Sequence, residues 1–260
     1  MSTKEASAST TNPAPFLGKK ALVVGGTGGI GKAVALGLAG KGATVTIHGG
    51  SSEKRLDETL SALRDIAGTG EGFLLPIQDV YSARTILANF AALNQPKQIP
   101  DILVCAWGPF KQGSLGNASL EFWQEMVASN LIFPGVLVSL LLNDMIEQSW
   151  GRILLFGSTN TDTIRGFATT VPYSAAKTAL GVLAKSVAKT ATSKGITCNV
   201  LCPGLTNTEY TPDTLALYNR EKSPGGKPLT PEDIAHTALA ILENPAINGT
   251  ILPVDAGIVL

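Results

Sequence analysis

A tyrosine and a lysine in the second half of the chain have the types and spacing of an acid–base pair. Tyr173 and Lys177 lie four residues apart in V-P-Y-S-A-A-K-T-A-L, so on a helix they share one face. A phenol has a pKa of about 10, and an ammonium about 4 Å away would lower it by at most roughly three units. Such a phenol is a usable general acid or base. The alternative is that helix geometry produces this spacing by accident, and the pair alone favours that alternative.

A glycine-rich turn lies near the start of the chain. The apolar run Lys20 to Val24 leads directly into G-G-T-G-G-I-G, residues 25 to 31, and a helical pattern follows through Ala39. Glycines allow the backbone to approach a pyrophosphate, and the helix N-terminus favours its charge. Many glycine clusters are plain turns, but the flanking strand and helix favour a dinucleotide-binding βαβ unit here.

The next segment bears on which dinucleotide would bind. From Ala43 to Ser52, which covers the second strand and the turn after it, the sequence has no carboxylate to hold ribose hydroxyls. Instead, Ser51 and Ser52 begin a helix whose first turn carries Lys54 and Arg55. Hydroxyls, free backbone N–H groups and cations suit a 2′-phosphate, so the sequence favours NADP. The serines also suit a helix N-cap, and both roles can hold at once.

Strands alternate with helices along the rest of the chain. This order predicts an α/β fold, a single Rossmann-type doubly wound parallel sheet with helices on both faces. Ligands bind beyond the carboxyl ends of such strands. The further predicted strands are Phe73–Pro76, Asp101–Ala106, Arg152–Phe156, Thr197–Leu201 and Thr250–Val254. The residues that fall at strand ends are Gly25 to Gly31, Ser51, Asp79, Gly108, Ser158 and Gly204.

Composition limits the class of protein. We predict a disordered N-terminal tail over residues 1–16 and one domain over residues 17–260, since no second boundary or repeat appears. The formal net charge of zero argues against a nucleic-acid partner. The three cysteines lack metal-ligand spacing and fit a reducing interior, so we expect no metal and a cytoplasmic location. The apolar run Leu131 to Leu142 is too short for a membrane span and predicts a buried helix.

From Leu17 to Leu260 the chain resembles the short-chain dehydrogenase/reductase family, and its general pattern is nearest to the 3-oxoacyl-carrier-protein reductases. One departure is C-A-W-G at residues 105 to 108, where the family usually has N-N-A-G; it brings Trp107 either near the cofactor cleft or into packing. The residues that carry the resemblance are Gly25, Gly29 and Gly31, Asn130, Ser158, the Y-x-x-x-K pair Tyr173 and Lys177, the P-G-x-x-x-T residues Pro203, Gly204 and Thr208, and the terminal V-D-A-G.

The resemblance implies hydride transfer between a nicotinamide and a carbon that carries a ketone or an alcohol. It implies that Tyr173 donates the proton, that Ser158 hydrogen-bonds the carbonyl oxygen, and that Lys177 lowers the pKa of Tyr173 and binds the nicotinamide ribose. Asn130 would hold a water that links Lys177 to solvent, and Thr159 is the reserve candidate for the role of Ser158. The predicted cofactor-binding residues are Gly25, Thr27, Gly28, Gly29, Ile30, Gly31, His48, Ser51, Ser52, Asp79, Val80, Ala106, Trp107, Gly108, Asn130, Tyr173, Lys177, Pro203, Gly204, Thr206 and Thr208.

The substrate is less well defined. The segment Leu205 to Pro231 should form a flap over it, and we expect apolar contacts from Tyr210, Leu215, Leu217 and Tyr218. Carrier-protein reductases usually carry basic residues just before the fifth strand. Here that position reads I-E-Q-S-W-G-R-I, with no cation before the arginine, and Lys194 is the one further basic residue we assign to that surface. Docking of an acyl carrier protein is therefore doubtful, and a free ketone, a keto-ester or a polyol remains open.

Three classes of function stay open. The favoured one is an NADP-dependent carbonyl reductase that acts on a small molecule. The second is a non-catalytic NADP-binding sensor or regulator on the same fold, and the third is a subunit that is active only beside a partner chain. The resemblance implies a homo-oligomer, a tetramer or a dimer. The residues of the tyrosine helix that could pack against a second copy are Ala175, Ala176, Ala179, Val182 and Leu183.

Overall fold

The structure, a computed structural model, describes residues 14–209 and 211–258. Most of the predicted tail, Tyr210 of the predicted flap and the last two residues lie outside the described residues. The predicted disordered tail, residues 1–16, extends too far, because its last residue is packed in the core. Phe16 is only 2% exposed, packs in the core, and donates its backbone N–H to the Lys41 carbonyl at 3.0 Å. The gain from burying this aromatic ring outweighs the polar composition of the residues before it.

Seven parallel strands form one sheet in the order β3-β2-β1-β4-β5-β6-β7. This arrangement confirms the predicted fold class. The strands are β1 Lys20–Val24, β2 Thr44–Gly49, β3 Glu71–Leu74, β4 Ile102–Cys105, β5 Gly151–Phe156, β6 Ile196–Pro203 and β7 Ile251–Val254. The prediction was least accurate for β3, which begins two residues earlier than predicted and pairs Glu71 with Thr46. It ends before Pro76, which has no N–H to donate to the ladder.

The described residues include eight α-helices, and a π-helical segment, Ala128–Ile132, lies within one long helical stretch. The helices are α1 Gly29–Gly40, α2 Glu53–Ala67, α3 Ser82–Leu93, α4 Leu120–Val127, α5 Phe133–Glu147, α6 Val171–Ala191, α7 Asp213–Lys222 and α8 Pro231–Glu243. Helices α1, α2 and α8 pack on one face of the sheet, and α3, α5 and α6 pack on the other.

The strands supply both halves of the core because successive side chains point to opposite faces. In β1, Ala21 and Val23 join the cluster under α1 and α8, whereas Leu22 and Val24 join the cluster under α5 and α6. All four are 0% exposed. A parallel sheet buried on both faces needs such continuous apolar strands, and they hold the carboxyl ends of the central strands in fixed positions.

The helical segments from Leu120 to Glu147 run without a break for 28 residues, with a mean hydropathy of 1.8 over the most apolar window. By length and composition this helix could cross a membrane, since it is longer than the apolar run Leu131 to Leu142 on which the prediction was based. A buried core helix can have the same length and hydropathy, and α5 packs on the sheet through Phe133, Leu137 and Met145.

Candidate active site

The glycine turn between β1 and α1 forms a cavity of about 360 Å³ at the carboxyl end of the sheet. Gly25 has a φ of +81°, and a Cβ on it would lie 3.0 Å from the Trp107 backbone nitrogen. A Cβ on Gly31 would lie 2.1 Å from the Gly25 carbonyl oxygen. Only glycine fits both positions, so the turn lies tightly against the β4 end. The lining residues are Gly25, Thr27, Gly28, Gly29, Ile30, Gly31, Gly50, Ala106, Trp107, Gly108 and Thr208.

A second cavity, of about 650 Å³, lies beside the turn at the start of α2. Its walls include the cations of Lys32, Lys54 and Arg55 together with Ser52. The Ser52 Oγ accepts a hydrogen bond from the Arg55 backbone N–H at 3.4 Å and caps α2. Ser51 is exposed and is not among the residues that line this cavity. The helix start and the three cations favour an anionic ligand, whereas the carboxylates of Glu58, Glu209 and Glu232 in the same cavity oppose it.

His48 does not face either cavity, although we predicted it to bind the cofactor. Its ring is 1% exposed, and its Nε2 lies 2.8 Å from the Leu75 carbonyl oxygen. Its Nδ1 lies 3.4 Å from the Gly25 backbone nitrogen, which donates to it. Burial lowers the pKa of the imidazole. Because β2 is buried on both faces, the His48 side chain lies under the glycine turn and contacts its backbone instead of lining either cavity.

Asp79 and Val80 line a separate cavity of about 400 Å³ with residues of α4 and the π-helical segment. The Asp79 carboxylate accepts hydrogen bonds from the Ser82 backbone N–H at 3.1 Å and the Ser82 hydroxyl at 3.4 Å. Its contacts here hold the first turn of α3. The structure places both residues near the carboxyl end of β3 but does not bring them into the cavity of the glycine turn.

Tyr173 and Lys177 come together at the end of β5, in a cavity of about 460 Å³. They are the third and seventh residues of α6, and their side chains are 9% and 6% exposed. The Lys177 Nζ donates to the Phe156 carbonyl at 2.8 Å and lies 5.7 Å from the centre of the Tyr173 ring. The lining residues are Ile30, Ala106, Gly108, Phe110, Phe156, Gly157, Ser158, Thr159, Tyr173, Lys177, Pro203, Gly204, Thr206 and Thr208.

The pKa values of this pair differ from the expectation. Burial raises the pKa of Tyr173, and a hydrogen bond with the Ser158 side chain offsets only part of that rise. Burial also lowers the pKa of Lys177 to about 8, although the neighbouring Cys105 and Cys202 act in the opposite direction. The prediction that Lys177 brings the phenol to neutral pH was wrong for this structure. Desolvation is the largest cause at both groups, so the phenol keeps its proton at neutral pH.

Ser158 and Thr159 both lie in the cavity, but only Ser158 is directed at the tyrosine. The Thr159 hydroxyl donates to the Pro203 carbonyl at 3.1 Å and ties the end of β5 to the end of β6. Ser158 is held by Thr161, whose Oγ1 accepts from the Ser158 N–H and donates to the Ser158 carbonyl, both at 2.8 Å. Thr161 had not been predicted, since a threonine in the loop five residues after a strand carries no distinctive signal.

Asn130 enters the site from the π-helical segment. Its side chain is fully buried, and its Nδ2 donates to the Pro109 carbonyl at 3.0 Å. Its Oδ1 has no hydrogen-bond partner, which is uncommon for a buried amide. Single π turns recur at functional sites, and this one lies beside Lys177 across Gly108. The free acceptor fits the predicted role of binding a further donor.

Phe110 and Glu209 contact the site but were not among the residues predicted from the sequence. The Phe110 ring packs edge-to-face on Tyr173 with ring centres 5.0 Å apart, and 57% of it is exposed. Glu209 lines the cavity beside the glycine turn and contacts that turn directly. Trp107 combines the two alternatives that we left open: it lines the turn cavity and packs on Phe133 with ring centres 5.2 Å apart.

The glycine turn, the doubly wound sheet and the buried tyrosine–lysine pair define a dinucleotide-binding fold with a candidate acid–base centre. The family model described as short chain dehydrogenase matches residues 19–217. The 3-oxoacyl-(acyl-carrier-protein) reductase FabG of Haemophilus influenzae is 34% identical over 251 residues, covering 94% of this chain and 99% of that protein. The chain therefore belongs to the short-chain dehydrogenase family.

The comparison with solved structures agrees with this family assignment. A 3-oxoacyl-(acyl-carrier-protein) reductase from Agrobacterium tumefaciens, solved with NADP bound, superposes with a TM-score of 0.84 at 25% identity, covering 93% of this chain and 95% of that one. A protein from Beutenbergia cavernae, described as a NAD(P)-dependent gluconate 5-dehydrogenase with bound NADP at low occupancy, has a TM-score of 0.81 at 28% identity, covering 95% of this chain and 98% of that one.

Proposed function

We propose that this protein is an NADP-dependent oxidoreductase that transfers a hydride between the nicotinamide and a ketone or secondary alcohol, with Tyr173 as the general acid or base. One observation carries the proposal. The cavity of Tyr173 and Lys177 and the cavity of the glycine turn share Ile30, Ala106, Gly108 and Thr208. A single extended ligand can therefore lie with phosphates at the turn and a reactive ring beside the tyrosine.

The chain's own residues fit a phosphorylated dinucleotide. The backbone at Gly25 and Gly31 leaves no room for a side chain, as close approach of a pyrophosphate requires. Lys32 and Arg55 line the cavity at the start of α2, where they would hold a 2′-phosphate. The bound cofactor would supply the hydride. Relatives solved with NADP support this choice of cofactor.

The acid–base step follows from the protonation states. Because burial keeps the Tyr173 phenol protonated, it can donate its proton to a carbonyl oxygen during reduction. Ser158 lies beside the phenol, where it lowers the phenol's pKa, and would stabilise negative charge that develops on that oxygen. Lys177, with a pKa of about 8, is mostly charged at neutral pH and would stabilise the phenolate left behind. Asn130 is held ready to orient a donor beside Lys177.

The assigned chemistry is tested with the purified protein. We expect NADPH oxidation with at least one class among 3-oxoacyl thioesters, diketones and cyclic ketones. The change Tyr173→Phe should lower kcat by about 10²- to 10⁴-fold, since it removes only the proton donor. NADPH binding should remain, because the glycine turn is untouched. If no carbonyl compound of these classes is reduced although NADPH binds, the proposed reaction is wrong.

The sensor alternative makes a different prediction with the same variant. A non-catalytic regulator needs the cofactor but not the proton donor, so a cellular role should survive Tyr173→Phe unchanged. The buried tyrosine, lysine and serine in one cavity favour the enzyme, since a sensor has no need for a desolvated ammonium.

We also propose that α6 packs against a second copy of the chain. Val182 is 70% exposed and Ala175 is exposed, and both line an outer cavity of about 920 Å³ with Ile164, which is 96% exposed. Ala176, which we had assigned to this surface, is 2% exposed and faces the core instead. A dimer or tetramer by light scattering is the expected result, and a monomer at micromolar concentration would contradict it. A cytoplasmic location remains a prediction.

A further inference from the structure

The phosphate-binding turn already holds an anion that belongs to the protein. The Glu209 carboxylate accepts a hydrogen bond from the Gly29 backbone N–H at 2.9 Å, across 180 residues of sequence. Gly29 is the first residue of α1. The first N–H groups of a helix have no partner inside the helix and carry partial positive charge. Glu209 is thus bound where this fold places the charge of a pyrophosphate.

The surroundings strengthen this electrostatic match. Glu209 lines the cavity that also contains Thr27 and Lys32, both from the turn or the first turns of α1. No side chain in the first turn of α1 is acidic, and the N-cap residue Gly28 has no side chain to cap the helix. The Glu209 carboxylate therefore accepts a hydrogen bond from the Gly29 N–H, for which the residues at the start of α1 provide no side-chain acceptor.

The segment that carries Glu209 is connected to the reaction cavity. Its neighbour Thr208 lines both the catalytic cavity and the cavity of the glycine turn. Asn207 donates its backbone N–H to the Leu229 carbonyl at 2.9 Å and accepts a hydrogen bond from Asn219 of α7 at 2.8 Å. The contact of Glu209 therefore fixes the start of the predicted flap to the phosphate-binding turn.

We propose that Glu209 is an internal ligand of the phosphate-binding turn, which the pyrophosphate of the cofactor must displace. The contact lowers the affinity for the cofactor, because part of the binding free energy is used to break it. It also couples cofactor binding to release of Glu209 and the adjoining Asn207 and Thr208 from the turn. This inference goes beyond the proposed function, since it depends neither on the proton transfer by Tyr173 nor on the substrate.

The experiment measures cofactor binding without any turnover. The change Glu209→Ala removes the internal ligand, and we expect dissociation constants about fivefold lower, as one charged contact at a helix N-terminus would give. Titration with NADPH, NADH and ADP should give the same factor for all three, because they share the pyrophosphate. In the ligand-free protein, the same change should lower the unfolding temperature, and NADPH should then raise it by more than in the wild type.

The matched control is Glu232→Ala. Glu232 is an exposed carboxylate that lines the same cavity, so removing it tests repulsion of the phosphates through space. We expect its effect to be well below that of Glu209→Ala. The proposal is overturned if Glu209→Ala leaves the three dissociation constants unchanged or raises them, if it tightens only NADPH, or if both variants tighten binding equally. If no ketone is reduced but Glu209→Ala still tightens the binding of NADPH, NADH and ADP by the same factor, the proposed function is contradicted and this inference is not.

Discussion

Gly108 and Asn130 lie so close together that a Cβ atom on Gly108 would come within 2.4 Å of the Asn130 Oδ1. The same Cβ would lie 3.2 Å from the Lys177 Nζ. The backbone after β4 therefore passes directly over two polar groups of the candidate centre, one on the π-helical segment and one on α6. The missing side chain at position 108 allows this approach, so the glycine is a structural requirement of the site.

We expect Gly108→Ala to lower kcat at least about tenfold, with a loss of about 1–3 kcal/mol in the free energy of unfolding. The methyl group must push Asn130 or Lys177 out of position. Steady-state kinetics and urea unfolding measure the two effects. Gly135→Ala is the control, since a methyl group added to Gly135 in α5 would meet no atom within 4 Å outside its own helix backbone. Full activity in Gly108→Ala would show that Asn130 needs no fixed position.

Lys177 is expected to destabilise the fold at neutral pH. Its pKa is about 8 in the folded protein and 10.5 ordinarily, so between these values the unfolded chain binds more protons. Stability then rises with pH over this window, by about 3 kcal/mol from this group alone. Lys177→Met should therefore unfold at a higher urea concentration than the wild type at pH 7, although it is inactive.

The comparison with the wild type is repeated at high pH. Above about pH 10 the ammonium of the wild type has lost its proton in the folded state, so the advantage of Lys177→Met should shrink. The difference between the two proteins removes the contributions of other titrating groups. Lys185→Met, on the exposed side of the same helix, should show no such pH dependence. A constant advantage at all pH values would mean that packing, and not the buried charge, is responsible.

Substitutions of the two hydroxyl residues at the end of β5, Ser158 and Thr159, should differ in their effect on kcat. Ser158→Ala removes the hydroxyl beside Tyr173, so we expect kcat to fall about 10²-fold or more, as for loss of one donor to a developing oxyanion. Thr159→Ala breaks a bond to the Pro203 carbonyl and should cost about 1 kcal/mol of stability with a small change in kcat. The opposite ranking would move the serine role to Thr159.

Local sequence patterns predicted the framework and that the candidate acid–base pair would lie together. β1 was predicted with its observed bounds, because a short apolar run meets a glycine turn. Tyr173 and Lys177 share one helix, so their spacing alone brings them together. Ser158 follows from the rule that parallel strands end at one edge of the sheet.

Quantities that depend on packing between distant elements could not be predicted in this way. The raised pKa of Tyr173 arises mainly from burial, which the spacing of Tyr173 and Lys177 along the helix does not reveal. His48 belongs to a strand buried on both faces, and its position at the strand end gave no sign of that burial. The contact of Glu209 with Gly29 joins residues for which no spacing rule exists.

Cofactor preference should depend on the first turn of α2. Arg55→Ala should raise the KM for NADPH about tenfold and leave that for NADH nearly unchanged, because only NADPH carries the 2′-phosphate. Lys54→Ala is the matched control: its side chain is 85% exposed and lies 3.9 Å from Glu58, so a smaller effect is expected. Equal effects of Arg55→Ala on both cofactors would show that this cavity does not bind the 2′-phosphate.

Phe110 should select substrates by the group that flanks the carbonyl. Its ring lies against Tyr173 and remains 57% exposed, so it offers apolar surface where a substituent of a bound ketone would pass. Phe110→Ala should lower kcat/KM for ketones with aryl or branched alkyl groups about tenfold, since covering this ring is worth about 1–2 kcal/mol. Small polar ketones and polyol substrates should change little.

The Phe110 variants distinguish two roles of the ring, selecting the substrate and positioning Tyr173. If Phe110 mainly holds the Tyr173 ring, kcat should fall by a similar factor for every substrate, and Phe110→Leu should not restore it. If the ring binds the substituent, Phe110→Leu should recover most of the activity toward apolar ketones, because apolar area is kept. Leu115→Ala is the control: Leu115 is 56% exposed but lines the outer cavity beside α6. A loss in that variant equal to the loss in Phe110→Ala would place substrate selection elsewhere.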